Sequence, residues 1–369
     1  MKRGAERMIE GFLDGVPLAM LAVDHHARII GANAAARSLF GEDLLDRPFV
    51  TVLRHPAVVE AVDWVIDPTR NPAPTPEPTL GTPAEGVANL RANIRADGRN
   101  LFAEMTVSPL PDILGQGAMI AIVDQSEIEE SEQVRRDFVA NVSHELKTPL
   151  TAMMGFIETL RGPARDDARA RDRFLDIMER EAGRMNRLVS DLLSLSRVQA
   201  DERRRPSSEV DLPMMLRGVL VTLGQAIESA GITLETSGLE GAQRIPGDPD
   251  QLVQVFQNLI ENAVKYGGGG QYLGVTLRRI NYEPTLRGPA WAIDVSDKGE
   301  GIDEIHLPRL TERFYRVDTH RSREQGGTGL GLAIVKHIVN RHRGRLKIVS
   351  HKGQGSQFTV ILPESHNRA

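Results

Sequence analysis

The sequence contains no cysteine. This absence excludes disulfide bonds, zinc sites with thiolate ligands and cysteine nucleophiles. It also excludes the photoreactive thiol that blue-light flavin sensors need. A reducing compartment is compatible with this composition.

Long hydrophobic runs are absent as well. The longest apolar stretch near the start, Phe12 to Val23, contains Asp14 and Pro17, and it is shorter than the roughly 20 residues that span a bilayer. The sequence therefore predicts no membrane span and no signal peptide. We expect a cytoplasmic protein that is either soluble or recruited to the inner membrane by a partner.

Neither sign of charge dominates. The 45 basic and 50 acidic residues give a formal net charge of -5, so no global field would hold a nucleic acid, and we expect no direct nucleic-acid partner. The 40% hydrophobic and 26% charged residues are typical of soluble globular proteins. A chain of 369 residues is long enough for two or three domains.

The first predicted domain comprises residues 1–125. Short apolar runs alternate there with helical patterns, which indicates a mixed α/β input domain. The runs are Ala19 to Val23, Arg28 to Ile30 and Met119 to Val123. Asp67 to Pro83, rich in proline and threonine, is predicted to be a loop. Asp124 to Phe138 is charged and free of glycine and proline, so we expect a helix that leaves this domain and continues into the next.

Residues 126–204 are predicted to form a helical hairpin with a break at Arg161 to Arg165. The apolar positions are Val139, Val142, Leu146, Met153, Phe156 and Leu160 in one helix, and Phe174, Met178, Met185, Leu188, Leu192 and Leu195 in the other. Such a hairpin leaves its apolar stripe half uncovered, and a second copy completes a four-helix bundle. We therefore expect a homodimer.

The third predicted domain comprises residues 205–365. It begins within a predicted linker, Arg203 to Ser208, and strand-like and helical patterns alternate after that linker. This alternation indicates an α/β domain. The predicted fold class of the whole chain is multidomain α+β.

The first motif, Phe138 to Leu150, contains His144. This residue lies off the apolar stripe, so we expect it to face solvent, where a neutral imidazole with a pKa of about 6.5 can act as a nucleophile. Thr148 shares its helix face, and Pro149 removes one helical hydrogen bond, so the helix can bend there. Taken alone, an ordinary surface histidine explains the motif. A zinc protease is excluded, because Thr148 stands where a second histidine is required.

In the second motif, Asn258, Asn262 and Lys265 follow i, i+4, i+7 spacing and share one face of a predicted helix. The buried face is predicted to be Leu252, Val255, Phe256, Leu259 and Ala263. An amide oxygen suits a Mg²⁺ ion that also binds nucleotide phosphates, and Lys265 adds positive charge. Taken alone, a solvated polar face is the alternative.

The third motif, Asp297 to Gly301, follows a predicted half-buried strand, Trp291 to Ser296. A carboxylate at a strand end can accept a hydrogen bond from an exocyclic amine such as that of adenine. Gly299 and Gly301 would let a ligand approach the backbone. An ordinary Asp-Gly turn is the alternative.

The fourth motif, Gly326 to Leu332, leads into a helical pattern, Ala333 to Arg341. Flexible backbone amides therefore meet a helix N-terminus, which suits a phosphate group. The motif is not a Walker loop, because no Gly-Lys-Ser/Thr follows. It is not a dinucleotide fingerprint either, because no predicted strand immediately precedes it.

In this order and spacing, the motifs resemble those of the sensor histidine kinases of two-component systems. The match covers roughly Asp124 to Pro363 and includes the H, N, G1, F and G2 boxes. Asn141 to Leu150 and Glu312 to Asp318 look most like the phosphate-regulon (PhoR-like) subgroup. The resemblance implies a HisKA dimerisation domain and a HATPase_c domain, an α/β sandwich of the GHKL or Bergerat type.

The resemblance also implies an activity. An ATP-dependent protein-histidine kinase of this kind phosphorylates its own His144 and passes the phosphoryl group to an aspartate of a response regulator, here one of OmpR/PhoB-like type. Glu145 would polarise the imidazole. Thr148 would position water for the reverse duty of dephosphorylating the regulator.

For the nucleotide, the resemblance implies ATP with Mg²⁺ in the C-terminal domain. Asn262 would coordinate Mg²⁺ with help from Asn258, Lys265 would meet phosphate, Tyr266 would pack on adenine, and Asp297 would bind the adenine amine. The glycines that would shape the adenine pocket are Gly299 and Gly301.

A mobile lid is implied from Asp303 to Gly327, with Arg316 reaching the phosphates. Lids of this kind move on microsecond to millisecond timescales. The implied hinge and phosphate cradle comprise Gly327, Thr328, Gly329, Leu330 and Gly331.

The first domain resembles a PAS domain. The resemblance rests on Met20 to Asp24, Ile29 and Ile30, Asn33 to Gly41, and Asp97 with Gly98. PAS pockets hold haem, flavin or small metabolites, and the histidines available as haem ligands are His25, His26 and His55. Surface or loop histidines are the preferred interpretation.

Two other classes of protein remain as alternatives. A nucleotide-responsive scaffold would transmit a signal by binding alone, which the intact boxes disfavour. An ATPase of the gyrase, Hsp90 and MutL superfamily would lack the dimerising histidine helix, which His144 to Pro149 disfavours. Among kinases, a mainly phosphatase output also stays open.

Overall fold

The chain folds into two compact units, Met1–Val139 and Ala140–Ala369. The computed structural model describes residues 13–69, 86–111, 115–201, 204–318 and 327–365. The predicted loop from Asp67 to Pro83 lies outside the described residues from position 70 onwards. The same holds for residues 319–326 of the predicted lid. The predicted three-domain boundaries stay a prediction.

The first unit is built on a five-stranded antiparallel sheet with the strand order β2-β1-β5-β4-β3. Its strands are β1 (Ala19–Asp24), β2 (Ile29–Ala32), β3 (Ala88–Ala96), β4 (Arg99–Pro109) and β5 (Gly117–Asp124). The helices α1 (Ala34–Phe40) and α2 (Pro56–Ile66), with a short 3-10 helix at Phe49–Thr51, follow β2. The three predicted strands and the mixed α/β class are confirmed. The PAS resemblance stays a prediction.

A buried asparagine fixes the start of α1. The Asn33 side-chain oxygen accepts hydrogen bonds from the backbone N–H of Met20 and of Ala36, at 3.0 and 2.9 Å. Its amide donates to the carbonyl oxygens of Leu13, Val16 and Leu18. A polar side chain that is 1% exposed is thereby satisfied, as burial requires.

A tight turn joins β3 to β4. Asp97 and Gly98 both have positive φ, 48° and 73°, as a two-residue hairpin of type I′ requires. The turn sets the register in which Arg95 lies directly opposite Asn100. Within the described ranges, β3 pairs with β4 alone.

The helical hairpin consists of α3 (Ser126–Arg161) and α4 (Ala168–Ala200). The predicted helix beginning after Asp124 and the predicted break are confirmed. Asp167 caps α4, because its side chain accepts from the backbone N–H of Arg169 and Ala170 at 3.0 Å.

The apolar stripe of the hairpin is partly covered. Phe156 and Phe174 stack with ring centroids 5.2 Å apart, and Leu188 and Leu195 are buried. Other large apolar side chains remain exposed, among them Leu150, Met154, Ile157, Val189 and Leu193. Of the predicted stripe positions, Val139 is exposed, Leu188 and Leu195 are buried and the others are half-buried.

The rest of the second unit is a layer of helices on a five-stranded sheet of order β11-β12-β10-β9-β7. Its strands are β6 (Ser208–Asp211), β7 (Thr233–Ser237), β8 (Arg244–Gly247), β9 (Tyr272–Glu283), β10 (Gly288–Asp297), β11 (Arg345–His351) and β12 (Gly355–Pro363). Its helices are α5 (Leu212–Ser229), α6 (Pro249–Gly267) and α7 (Gly331–Arg341), with 3-10 turns at Gly268–Gly270 and Glu304–Arg309. Only β7 and β9 pair in parallel within the sheet, and β6 pairs with β8. Ser208, predicted as linker, already belongs to β6.

The helix α6 carries the second motif. Asp248 caps it by accepting from the Gln251 backbone N–H at 3.2 Å. The apolar face packs against β9, β10 and α7. The predicted buried residues, Leu252, Val255, Phe256, Leu259 and Ala263, are all buried. None of the helices in the described ranges combines the length and hydropathy needed to cross a bilayer.

Candidate functional site

His144 lies near the middle of α3 and is exposed, as predicted. Thr148, one turn later, is also exposed, and its hydroxyl donates to the His144 carbonyl oxygen at 3.1 Å. Pro149 is buried inside the helix, which continues beyond it to Arg161. The structure therefore presents the imidazole and the Thr148 side chain at the surface of one helix.

The residue after His144 belongs to a buried ion cluster. Glu145 Oε2 accepts from Arg184 at 2.5 Å and from Arg316 at 3.2 Å. The three side chains are only 11%, 10% and 6% exposed. The predicted lid arginine is thereby tied to the predicted phosphoacceptor helix. We call these three residues the Glu145 cluster.

The polar face of α6 lies beside the N-terminus of α7. The Asn258 amide donates to the carbonyl oxygen of Gly331, the first residue of α7, at 3.5 Å. Lys265 forms an ion pair with Glu261 at 3.1 Å. Asn262 is half-buried on the same helix.

This donor set fits a Mg²⁺ ion that is shared with a nucleotide. Asn262 and Asn258 supply amide oxygens, which are ligands of the kind that hard cations take. Among the described residues, no group of three or more histidine, aspartate and glutamate side chains could hold a metal ion by itself. Phosphate oxygens and water would therefore have to complete the coordination, as is usual for Mg²⁺.

Asp297, at the end of β10, is packed tightly against the end of α6. Burial raises the pKa of the Asp297 carboxyl, although hydrogen bonds from the backbone of Gly299 and Ser356 oppose the rise. The Gly299 N–H donates to Asp297 Oδ1 at 2.8 Å. A Cβ at Gly299 would lie 2.6 Å from the Tyr266 carbonyl oxygen, and one at Gly267 would lie 2.5 Å from the Asp297 Cβ. The close approach that these glycines allow is therefore to protein atoms.

Gly301 also allows a close approach to protein atoms, on the other side of the turn. It has φ +65°, and a Cβ there would collide with the His351 carbonyl oxygen. Gly301 thus lets the turn after β10 approach the end of β11. Tyr266, the predicted adenine-stacking residue, is more than a third exposed at the end of α6.

The glycine-rich segment leads into α7 as predicted, with Gly331 as its first residue. Gly329 has φ +73°, and its carbonyl oxygen accepts from the Phe314 backbone N–H at 2.8 Å. The Leu330 backbone N–H donates to the Thr328 hydroxyl at 3.3 Å. The Phe314 bond joins the described part of the lid to the predicted phosphate cradle, whereas the Leu330 bond lies within the cradle.

The Thr328 hydroxyl also donates to a carboxylate of the hairpin, Asp191 Oδ2, at 2.6 Å. Burial raises the pKa of Asp191, and the negative charge of Glu261 adds to the rise. The hydrogen bond from Thr328 and the positive charges of Lys265 and Arg187 oppose it. Asp191 therefore brings a partly buried carboxyl group to the predicted phosphate-binding end of the domain.

Further contacts join the end of α4 to the sheet domain. The Ser194 hydroxyl donates to the Gln254 side-chain oxygen at 2.7 Å. Arg341 donates to the backbone oxygens of Asp201 and Arg204 and forms a 3.1 Å ion pair with Asp248.

His342, next to Arg341, is a buried neutral histidine. Its Nε2 accepts from the Asp248 backbone N–H at 2.9 Å, so its Nδ1–H donates to the Ile338 carbonyl oxygen at 2.8 Å. Burial lowers the pKa of His342. The histidine is a structural link between α6 and α7.

Comparison with known protein families assigns both parts of the second unit. Residues 134–201 match the His Kinase A (phospho-acceptor) domain, and residues 247–366 match the histidine kinase-, DNA gyrase B-, and HSP90-like ATPase. The chain belongs to the sensor histidine kinases. The predicted family and the predicted HisKA and HATPase_c folds are confirmed.

Several curated sensor kinases are similar to this one. The sensor-like histidine kinase SenX3 of Mycolicibacterium smegmatis is 40% identical over 247 residues, which cover 67% of this chain and 62% of SenX3. The phosphate regulon sensor protein PhoR of Pseudomonas aeruginosa is 42% identical over 245 residues, which cover 65% of this chain and 53% of PhoR. The sensor protein kinase WalK of Staphylococcus saprophyticus is 37% identical over 249 residues, which cover 67% of this chain and 39% of WalK. The chain thus spans less than two thirds of the length of each relative.

The sequence motifs of this sensor kinase do not predict two residues of the site, Arg184 and Asp191. Both lie on α4, between apolar positions of the predicted stripe. A charged residue that interrupts a buried stripe is a signal, because such a residue needs a partner. The sequence does not reveal the partners, which are 39 and 137 positions away, at Glu145 and Thr328.

Proposed function

We propose that this sensor kinase binds Mg-ATP in its C-terminal domain and phosphorylates its own His144. The observation that carries the proposal is the exposed His144 on α3, within the matched phospho-acceptor domain, in the same compact unit as the matched ATPase domain. A ring nitrogen of His144 attacks the γ-phosphorus. The bond between that phosphorus and the bridging oxygen breaks, and ADP leaves.

The nucleotide roles rest on the geometry of α6 and α7. Asn258 lies against Gly331 at the start of α7, so amide and backbone groups converge where a phosphate would bind. Lys265 adds a positive charge one turn after Glu261, its present partner. Asp297 would accept from the adenine amine, and Tyr266 would pack on the ring.

Mg²⁺, when bound at Asn262, would offset phosphate charge during transfer. The chain's own residues supply the remaining positioning. The cradle is formed by Gly327, Thr328, Gly329, Leu330 and Gly331. Arg316 would reach the phosphates once it leaves Glu145, its partner in this structure.

A homodimer is supported by the uncovered side of the hairpin. Leu150, Met154 and Ile157 on α3, with Val189 and Leu193 on α4, are exposed. Exposed apolar side chains at this spacing suit burial in a four-helix bundle. A monodisperse monomer at micromolar concentration in light scattering would contradict the dimer.

The phosphoryl group would pass from His144 to an aspartate of a response regulator. Similarity to a phosphate regulon sensor protein supports a regulator of OmpR/PhoB-like type and a role in phosphate signalling. Thr148, which is exposed on the same helix, would orient water for regulator dephosphorylation. A cytoplasmic location and recruitment to the inner membrane stay predictions.

Self-labelling with γ-phosphate from Mg-ATP tests this proposal. We expect an alkali-stable and acid-labile label that His144→Gln abolishes. His26→Gln, which replaces an exposed histidine of the first unit, is the matched control and should label normally. Persistent labelling of His144→Gln would overturn the acceptor assignment. Normal ATP binding without any label would favour a nucleotide-responsive scaffold.

A further inference from the structure

The first unit contains a cleft of about 390 Å³ that residues of β3 and of the β3–β4 turn help to line. Residues from the connection into α2 form one wall, and the β3–β4 hairpin forms the other. The polar residues that line it are Thr51, Arg54, His55, Asn93, Arg95 and Asn100. Its volume lies within the range of about 300–1,000 Å³ that is usual for small-molecule sites.

The charge of this cleft has one sign. Arg54 and Arg95 line it, and no aspartate or glutamate is among the described residues that do. Asp97, in the adjacent turn, is paired instead with Arg99 at 3.8 Å. A concave surface with unopposed guanidinium groups attracts carboxylate and phosphate groups.

The wall formed by the connection into α2 strengthens this preference. His55 directly precedes α2, and its side chain makes no capping hydrogen bond. Its Nδ1 is buried and has no hydrogen-bond partner among the described residues. The positive end of an 11-residue helix therefore adds to the charge of the arginines.

The hairpin wall supplies neutral donors at fixed positions. Asn93 and Arg95 are two residues apart on β3, so they share one face of the sheet. Asn100 lies directly opposite Arg95 in the register set by the Asp97–Gly98 turn. Side-chain amides next to an arginine can orient an anion that carries several oxygen atoms.

We propose that this cleft binds a small organic anion, with Arg54 and Arg95 as the two charged contacts. Carboxylate and phosphate groups share the chemistry that these residues recognise. The first unit would then be the part of the sensor kinase that responds to a metabolite. The proposal does not depend on the phosphotransfer chemistry of the second unit.

Isothermal titration calorimetry on the full chain at constant ionic strength tests the proposal. Citrate and inorganic phosphate are the two probes, and they separate a carboxylate ligand from a phosphate ligand. We expect saturable binding of at least one probe, and an increase in Kd of tenfold or more in Arg54→Gln/Arg95→Gln. Both arginines are exposed, so the double variant should remain folded, which its thermal melt checks.

Arg47→Gln is the matched control. Arg47 is exposed in the same unit and does not line the cleft, so its replacement should change Kd less than twofold. If neither probe shows saturable binding at concentrations up to about 10 mM, the proposal is overturned. Equal binding by the wild type and the double variant would also overturn it, since the anion would then bind elsewhere.

Discussion

Arg184→Met is expected to destabilise the helical hairpin by about 2 kcal/mol. The change removes the guanidinium that donates to Glu145 at 2.5 Å, while an unbranched side chain still fills most of the space. Removing one partner of an isolated buried ion pair costs about 3–5 kcal/mol. Here Arg316 still donates to Glu145 at 3.2 Å. We therefore expect the loss of one hydrogen bond to a charged group, about 1.5–3 kcal/mol. The variant also removes a 3.6 Å ion pair with the more exposed Glu181, which contributes less.

A double-mutant cycle isolates this interaction. Urea unfolding of Arg184→Met, Glu145→Gln and the double variant, followed by far-ultraviolet circular dichroism, gives the coupling free energy between the two side chains. We expect at least about 1 kcal/mol, because both side chains are about nine-tenths buried.

The matched control for this cycle is the pair of Arg171 and Asp172 on the same helix. These side chains are 3.8 Å apart and more than half exposed, so their coupling should be about 0.5 kcal/mol or less. A coupling between Arg184 and Glu145 no larger than that of the control would refute the reasoning. The ion pair between Arg184 and Glu145 would then not stabilise the fold measurably.

Three further predictions concern the second unit. Asp191→Asn should raise the melting temperature at pH 7.5, because burial raises the pKa of Asp191 and so disfavours its charged form. The difference in melting temperature should shrink on acidification, when the wild-type carboxyl takes up a proton, and a difference that grows instead would contradict the prediction. His342 should remain neutral below the ordinary histidine pKa of about 6.5, because burial lowers its pKa. The stability that this group contributes is then fully present above about pH 6.5 and is lost as the pH falls below that value. An imidazole NMR titration with a midpoint at or above about pH 6.5 would contradict this prediction. Thr148→Ala should leave self-labelling largely intact while slowing regulator dephosphorylation, and unchanged dephosphorylation would exclude the proposed role of Thr148.

Local patterns in the sequence predict much of this fold. The apolar spacing on α6 identifies its buried face, and alternation from Trp291 to Ser296 identifies a strand that extends to Asp297. Both features depend on residues that are near neighbours in the chain, and their periods of 3.6 and 2 follow from backbone geometry. The exposure of His144 follows from the same argument.

Contacts between distant segments could not be predicted in this way. Nothing in the spacing of α4 indicates that Asp191 meets Thr328, or that Arg184 shares Glu145 with Arg316. The parallel pairing of β7 with β9 likewise depends on how the chain returns after α6. A Cβ at Gly299 would meet the Tyr266 carbonyl oxygen, and only tertiary packing reveals this contact; the predicted ligand role of Gly299 stays a prediction.

The two hydrogen bonds from the predicted nucleotide site to the hairpin have a common chemical character. Thr328 donates to Asp191 and Arg316 donates to Glu145, so carboxylates occupy donors that the proposed function assigns to a triphosphate. Docking on the hairpin and nucleotide binding would therefore compete, and each would weaken the other by the same factor. By mass action, at nucleotide concentrations well above Kd, a tenfold rise in free nucleotide would shift that balance by about 1.4 kcal/mol. The occupancy of the nucleotide site would thus set how often the domain leaves the helix that carries His144.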